Sequence, residues 1–291
     1  MGFLTNLING ISLGSIYAVI ALGYTMVYGI AKMLNFAHGD IIMVGGYVAF
    51  ISMIELGLPS YVAVIMSILV CTLLGITIEK VAYKPLRSAT PLAVLITAIG
   101  VSYFLQNSAL LIFGSSPKMF SSVVNIPPLK LGELEISGVT VVTIIISVLI
   151  VVALSLFVNK TKPGRAMIAV SEDKGAAQLM GVNVNGTIAL TFAIGSALAA
   201  VAGVLLCSKY PNLVPTTGAM PGIKAFVAAV FGGIGSIPGA MIGGILIGVI
   251  EIFGKAYISA QLADAIVFAV LILVLLIKPT GILGKKVNEK V

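Results

Sequence analysis

The stretch Phe231–Gly239, FGGIGSIPG, interrupts an uncharged run from 225 to 250. Without it, the run would read as one long apolar helix. In a helix interior Gly costs about 1 kcal/mol relative to Ala, and Pro about 3 kcal/mol. Gly232, Gly233, Gly235, Pro238 and Gly239 together therefore predict two shorter helices meeting at a turn. Unwound backbone is tolerated at membrane depth only inside protein or beside water, so this turn is expected to be enclosed or to line a polar cavity.

That lipid is the solvent follows from composition. Of 291 residues, 59% are hydrophobic and only 9% charged, where a soluble domain carries about 25% charge. No Asp, Glu, Lys or Arg occurs in 1–31, 41–54, 56–78, 88–117, 136–159, 175–208, 225–250 or 265–277. Crossing the hydrocarbon layer takes roughly 20 apolar residues in a helix. Backbone groups must be satisfied internally there, and the alternating segments of a membrane β-barrel are not seen. The chain is thus expected to be all-α and polytopic, one transmembrane domain over 1–291 with about eight to nine spans, some broken. A re-entrant pair at FGGIGSIPG is the variant. The opening MGFLTNLINGISLG lacks a basic region and a small-residue cleavage site, so the first run is expected to be a retained helix. Cys71 and Cys207 both fall in apolar runs and read as small buried hydrophobes.

The net charge of +7 is read as orientation, not as nucleic-acid binding. Lys and Arg favour the cytoplasmic side of short loops. Lys80, Lys84 and Arg87, then Lys160, Lys162, Arg165 and Lys174, then the tail Lys285, Lys286 and Lys290 are placed inside. The loop from Gly114 to Gly138 balances Lys118 and Lys130 against Glu133 and Glu135, has a β-prone stretch at Val123–Val124, and is placed outside. Helices over 8–30, 40–57, 60–82, 91–113, 139–158 and 187–208 then alternate, with the N-terminus outside. Splitting 222–254 in two brings the basic tail inside. Both MLNFAHGDIIMVGGYVAF and GGIGSIPGAMIGGILIGVIE lead from a broken turn into a helix with a Gly-Gly pair, Gly45–Gly46 and Gly243–Gly244. Such matched interruptions suggest inverted repeats. Small residues at Gly10 and Gly14, Gly195 and Ala199, and Gly239 and Gly243 predict closely packed helices.

The most informative loop is 159–186. Pro163 and Gly164 are expected to stop the preceding helix, and Ser171, Glu172 and Asp173 to start a short one with acidic groups at its positive end. Ala176, Ala177, Leu179 and Met180 give that helix an apolar face, and Gly181 ends it. A short apolar-faced helix outside the bilayer suits a partner's groove or the headgroup layer.

Three stretches carry a resemblance: GISLGSIYAVIALGYTMVYGIAKMLNFAHGD, GRAMIAVSEDKGAAQLMGVN and KAFVAAVFGGIGSIPGAMIGG. All are similar to the permeases of branched-chain amino-acid ABC transporters, specifically the shorter permease subunit, and the likeness runs over nearly the whole chain. GAAQLMG resembles the EAA loop of ABC-importer permeases, with Ala176, Ala177 and Gly181 in register and Gly175 where that motif has Glu. The resemblance implies a permease in a bacterial or archaeal cytoplasmic membrane. Its implied partners are a second related permease, two cytoplasmic ATP-binding subunits and an external binding protein. It also implies that the EAA-like loop docks on an ATPase, with Arg165, Glu172 and Asp173 as its polar rim. No G-x-x-x-x-G-K-[ST] pattern is present, so ATP is expected to be hydrolysed by the partner. No catalytic residues, bound cofactor or metal ligands are expected. The same machinery carrying urea, short amides or other amino acids is the alternative. So, from another class, is an ion-coupled transporter.

MLNFAHGD, Met33–Asp40, holds the chain's one histidine between two apolar runs. Ionisable groups at membrane depth are costly and commonly functional. Asp40 is expected to cap the helix that follows, His38 to be a packed, hydrogen-bonded group, and Asn35, His38 and Asp40 to bond one another or freed backbone near the translocation path. Glu79 and Lys80 read as interfacial anchors and Lys224 as a snorkelling lysine. Glu251 and Lys255 read as an i,i+4 pair, and Asp264 as the cap of the last span.

Overall fold

The computed structural model describes residues 2–87, 89–131 and 134–284; the basic tail Lys285, Lys286 and Lys290 lies outside them. Eleven α-helices are described: α1 Gly2–Ala31, α2 His38–Phe50, α3 Ser60–Ile78, α4 Pro91–Phe113, α5 Gly138–Lys160, α6 Lys162–Glu172, α7 Lys174–Leu179, α8 Val184–Lys209, α9 Ala219–Gly232, α10 Ile237–Tyr257 and α11 Ala263–Ile277. α2 passes into a π-helical turn, Ile51–Glu55, and α3 into another, Glu79–Tyr83, followed by a 3₁₀ turn, Lys84–Leu86. Between helices lie two small antiparallel ribbons. β1 (Lys118–Met119) pairs with β4 (Asn212–Leu213), and β2 (Leu129–Leu131) with β3 (Leu134–Ile136). The first ribbon ties the loop after α4 to the loop after α8, so both lie at one end of the bundle. The β-prone Val123–Val124 is not in a strand.

The chain is all-α and polytopic, but the expected eight to nine spans are corrected to six. Among the described residues, only α1, α3 with its extension to Leu86, α4, α5, α8 and α10 are long and apolar enough to cross a membrane. The three other apolar helices are α2, α9 and α11, with 13, 14 and 15 residues. At 1.5 Å per residue α9 and α11 reach only about 21–23 Å, short of the roughly 30 Å hydrocarbon layer; α2 with its π-helical turn reaches about 27 Å but carries His38, Asp40 and Glu55 within that length. Uncharged runs measure the distance between charges, not the length of a helix. α2 begins on His38 and Asp40, which are buried. α9 is cut at Gly232, and α11 stops before Lys278 and Pro279.

The break at FGGIGSIPG is present. α9 ends at Gly232, Gly233 turns with φ of +103°, a conformation open to glycine and strained for other residues, and Ser236 caps α10 by accepting from the Gly239 amide at 3.1 Å. The turn is enclosed by the chain's own end, where Ile282 and Leu283 donate to the Phe231 and Gly232 carbonyls.

α1 is the axis of the bundle: 94% of its apolar window is buried, against 11% for α4 and 17% for α5. α8, α9 and α10 surround it, and α2 and α3 pack on α8. Its contact with α10 is made backbone to backbone. A Cβ on Gly14 would lie 2.6 Å from the Ile245 Cα, one on Gly10 would lie 2.8 Å from the Val249 Cα, and one on Gly248 would strike the backbone of Gly14. The expected close packing at Gly10 and Gly14 is therefore real. Between apolar helices in lipid, such packing is a main source of association.

Gly248→Ala is expected to lower the yield of monodisperse protein in mild detergent several-fold, because no flexible side chain is there to yield. Gly100→Ala, on α4 with open space around it, is expected to be neutral or stabilising by up to about 1 kcal/mol. Size-exclusion profiles and thermal midpoints of the two variants check this.

Candidate functional site

Asn35, His38 and Asp40 are all buried, but their side chains do not meet. Asn35 Oδ1 accepts from the Tyr83 hydroxyl at 2.9 Å, Asp40 Oδ1 accepts from Gln106 Nε2 at 2.8 Å, and the His38 ring lies edge-on to Tyr24 with centroids 4.7 Å apart. Only backbone joins the first two, the His38 amide donating to the Asn35 carbonyl at 3.1 Å. Asp40 stands in the first turn of α2, where a carboxylate suits the dipole, but α2 has no side-chain cap. The capping expectation is corrected: with Gln106 in reach, the carboxylate bonds α4 instead. His38 is a packed group whose ring interacts with the Ile20 backbone, while Nε2 has no well-aligned hydrogen-bond partner. It sits where Gly23 leaves room for a ring. Tyr24, Phe36 and Phe226 gather beside it, and no water-sized space remains among Tyr24, Tyr28, Asn35, Phe226 and Ile234. The segment thus joins α1, α2 and α9 by packing.

The loop over 159–186 is built as two helices. Thr161 caps α6 by accepting from the Gly164 amide at 3.1 Å. Pro163 and Gly164 thus lie in the first turn of α6, a position that suits Pro. Met167 and Val170 face inward, while Arg165 and Glu172 are exposed. Ser171 and Glu172 close α6 instead of opening the next helix. Asp173 caps α7, accepting from the Ala176 amide at 2.9 Å. Ala177 is buried under α7, whereas Ala176 is exposed, and Leu179 and Met180 are 90% and 84% exposed. Gly181 ends the helix with φ of +84°.

Lys174, not singled out from the sequence for this role, fixes the loop to the bundle. Its ammonium donates to the Ala31 carbonyl at the end of α1, at 3.0 Å, where a cation complements the helix dipole. Partial burial pushes its pKa down, and Arg87 and Lys32 nearby add to this. Glu79, expected as an interfacial anchor, is buried and bonded by Arg87, which also reaches Asn185 at the start of α8. Burial made the pairing necessary: an isolated carboxylate there would be too costly.

At the other end of α1, sequence reasoning found one ion pair and missed a network. Lys255 bonds Glu251 at 2.5 Å as expected. Lys224, expected to snorkel, is instead buried between Glu251 at 2.9 Å and Asp264 at 2.6 Å. The Tyr17 hydroxyl donates to Glu251 Oε2 at 2.8 Å. Asp264 therefore pairs with a cation; α11 has no side-chain cap. The available signal was the broken run itself, because a hairpin of α9 and α10 returns 251–255 to the level of residue 224. Among the described residues no group of three or more His, Cys, Asp or Glu could hold a metal ion.

The description "Branched-chain amino acid transport system / permease component" belongs to a family model that matches residues 6–275, from α1 into α11. The chain belongs to this permease family. The permease is 47% identical to the high-affinity branched-chain amino acid transport system permease protein BraD of Pseudomonas aeruginosa, over 99% of this chain and 98% of that one. It is 45% identical to LivH of Escherichia coli, a protein of the same description, over 99% and 98%. A probable branched-chain amino acid transport permease protein LivH of Methanocaldococcus jannaschii is 31% identical, over 93% and 89%. The resemblance read from GISLGSIYAVIALGYTMVYGIAKMLNFAHGD and its two companions is borne out, and a permease component is not an enzyme.

Lys224→Met is expected to destabilise the permease by about 3 kcal/mol, since it leaves the buried Glu251 carboxylate with one half-exposed cation, Lys255, and the Tyr17 hydroxyl. Lys224→Met combined with Glu251→Leu is expected to recover much of that loss. Thermal unfolding in detergent, compared across the cycle, measures it.

Proposed function

We propose that this permease is the membrane-spanning subunit of an ATP-driven importer for branched-chain amino acids, carrying Leu, Ile or Val from an external binding protein to the cytoplasm. The observation that supports it is the end-to-end similarity to permeases described as high-affinity branched-chain amino acid transport proteins. The complex we infer pairs this chain with a second related permease above two cytoplasmic ATP-binding subunits.

α7 is assigned to couple the two layers. Its inner face is seated by Ala177 and Lys174, and its outer face presents Ala176, Leu179 and Met180. Exposed apolar side chains at a loop tip suit a partner's groove, and Arg165, Glu172 and Asp173 beside them supply charge to set register. On this reading the α6–α7 end lies in the cytoplasm. The course of the bundle supports the matching orientation of the rest: α1 runs away from Lys174 towards Lys209, which bonds the Asn9 carbonyl. The N-terminus is outside, and the end of α11, held at the α9–α10 turn, is inside. Asn35, His38, Asp40 and the turn at Gly232, Gly233, Gly235 and Pro238 lie towards the cytoplasmic end, where closure of the path between α1, α2 and α9 would be set.

Reconstituted with its binding protein and ATPase subunits, the complex is expected to take up leucine when ATP is supplied inside, with no requirement for an ion gradient. Uptake that survives ATP depletion and collapses with an uncoupler would reject the proposal. Leu179→Asp with Met180→Asp is expected to cut recovery of the ATP-binding subunits at least ten-fold while leaving the permease folded. Pull-down on the tagged chain reads this, and unchanged recovery would place docking elsewhere.

A further inference from the structure

The end of the bundle opposite α7 contains a cleft of about 390 Å³ lined by Asn6, Asn9, Lys209, Tyr210, Ile252, Lys255 and Ala256. Lys209, the last residue of α8 and only partly exposed, is held there by the Asn9 carbonyl at 3.3 Å and Ser12 Oγ at 2.9 Å. Its partners are neutral; among the described residues it makes no ion pair. The two carboxylates of the neighbouring Lys224 cluster, Glu251 and Asp264, are already engaged by Lys224 and Lys255. One cation in the group therefore lacks a counter-charge. An ammonium has three donors, and the two bonds to α1 use two of them. A partly buried cation without an anion is costly, so the cleft favours a negatively charged group.

We infer that this cleft is a receiving site for the substrate on the external side of the membrane, with Lys209 holding the α-carboxylate of a free aliphatic amino acid. The inference rests on the importer reading above. The rest of the lining matches the rest of such a molecule. The amide oxygens of Asn6 and Asn9 and the Tyr210 hydroxyl can accept from an α-ammonium, and Ile252 with Ala256 gives apolar surface to a branched side chain. The volume falls within the usual range of small-ligand sites, about 300–1,000 Å³. Position agrees as well: α8 has 26 residues, so at 1.5 Å per residue the cleft lies about 39 Å from the α7 end. A substrate released by an external protein meets this end first.

The test uses the complete transporter in liposomes, with binding protein and ATPase subunits, and compares wild type, Lys209→Gln, Lys209→Arg and Ala256→Trp. The exposed Ala256→Trp fills the cleft while keeping the lysine, which keeps the test decisive if Lys209→Gln assembles poorly. Leucine uptake is expected to fall at least ten-fold in Lys209→Gln and in Ala256→Trp and to be largely kept in Lys209→Arg. Basal ATP hydrolysis and capture of the liganded binding protein should be unchanged in all three. Unchanged uptake in Lys209→Gln and Ala256→Trp overturns the inference. So does a loss of uptake in Lys209→Gln that tracks a matching loss of binding-protein capture, because the lysine then holds a carboxylate of that protein. If wild type itself takes up no leucine while hydrolysing ATP, the importer reading has failed, and this site falls with it.

Discussion

The close approach of α1 and α10 is the contact on which the remaining structure depends. Lipid supplies no hydrophobic drive between two apolar helices, so association rests on packing. Gly10 and Gly14 on one helix and Gly244 and Gly248 on the other bring main chain against main chain. α10 can reach that position only because FGGIGSIPG reverses the chain after α9. The turn and the glycine seam are thus one device: the first delivers α10 alongside α9, and the second fixes it against the axis of the bundle.

The seam also brings charges together. Tyr17 on α1, Lys224 on α9, Glu251 and Lys255 on α10 and Asp264 at the start of α11 share one cluster. A buried ion pair is weak support for stability on its own, since desolvation offsets much of the attraction. Its stronger consequence is register, because four helices must reach one level for every charge to be matched. At the opposite end the same logic works with less charge. Lys174 closes the end of α1, and Arg87 binds Glu79 and reaches Asn185, so the loop that carries α7 rests on a braced platform.

Between these ends the short helices α2 and α9 contribute the polar and aromatic contacts of Asn35, His38 and Phe226. α9 is too short to behave as an independent span, and α2 with its π-helical turn carries His38, Asp40 and Glu55. α2 buries His38 and Asp40 and α9 buries Lys224 inside protein, which is the condition under which such groups are tolerated at membrane depth. The outer helices α4 and α5 are mostly exposed in this chain, and α4 touches the centre through Gln106 on Asp40.

Solvent, helix type, the break at 231–239, the loop at 159–186 and the family likeness were all legible in the sequence. Composition, glycine and proline chemistry and motif spacing are local, and local properties survive without a fold. Span number was not legible, because α2, α9 and α11 differ from true spans in where their helices start and stop. Partners were not legible either. Asn35, His38 and Asp40 are neighbours in sequence, yet they bond Tyr83, pack on Tyr24 and bond Gln106 in turn, and Lys224 meets Glu251 27 positions away. Which polar groups share a site depends on how distant helices cross and on which charges burial forces to pair. Those are properties of the packed bundle, and only the tertiary structure decided them.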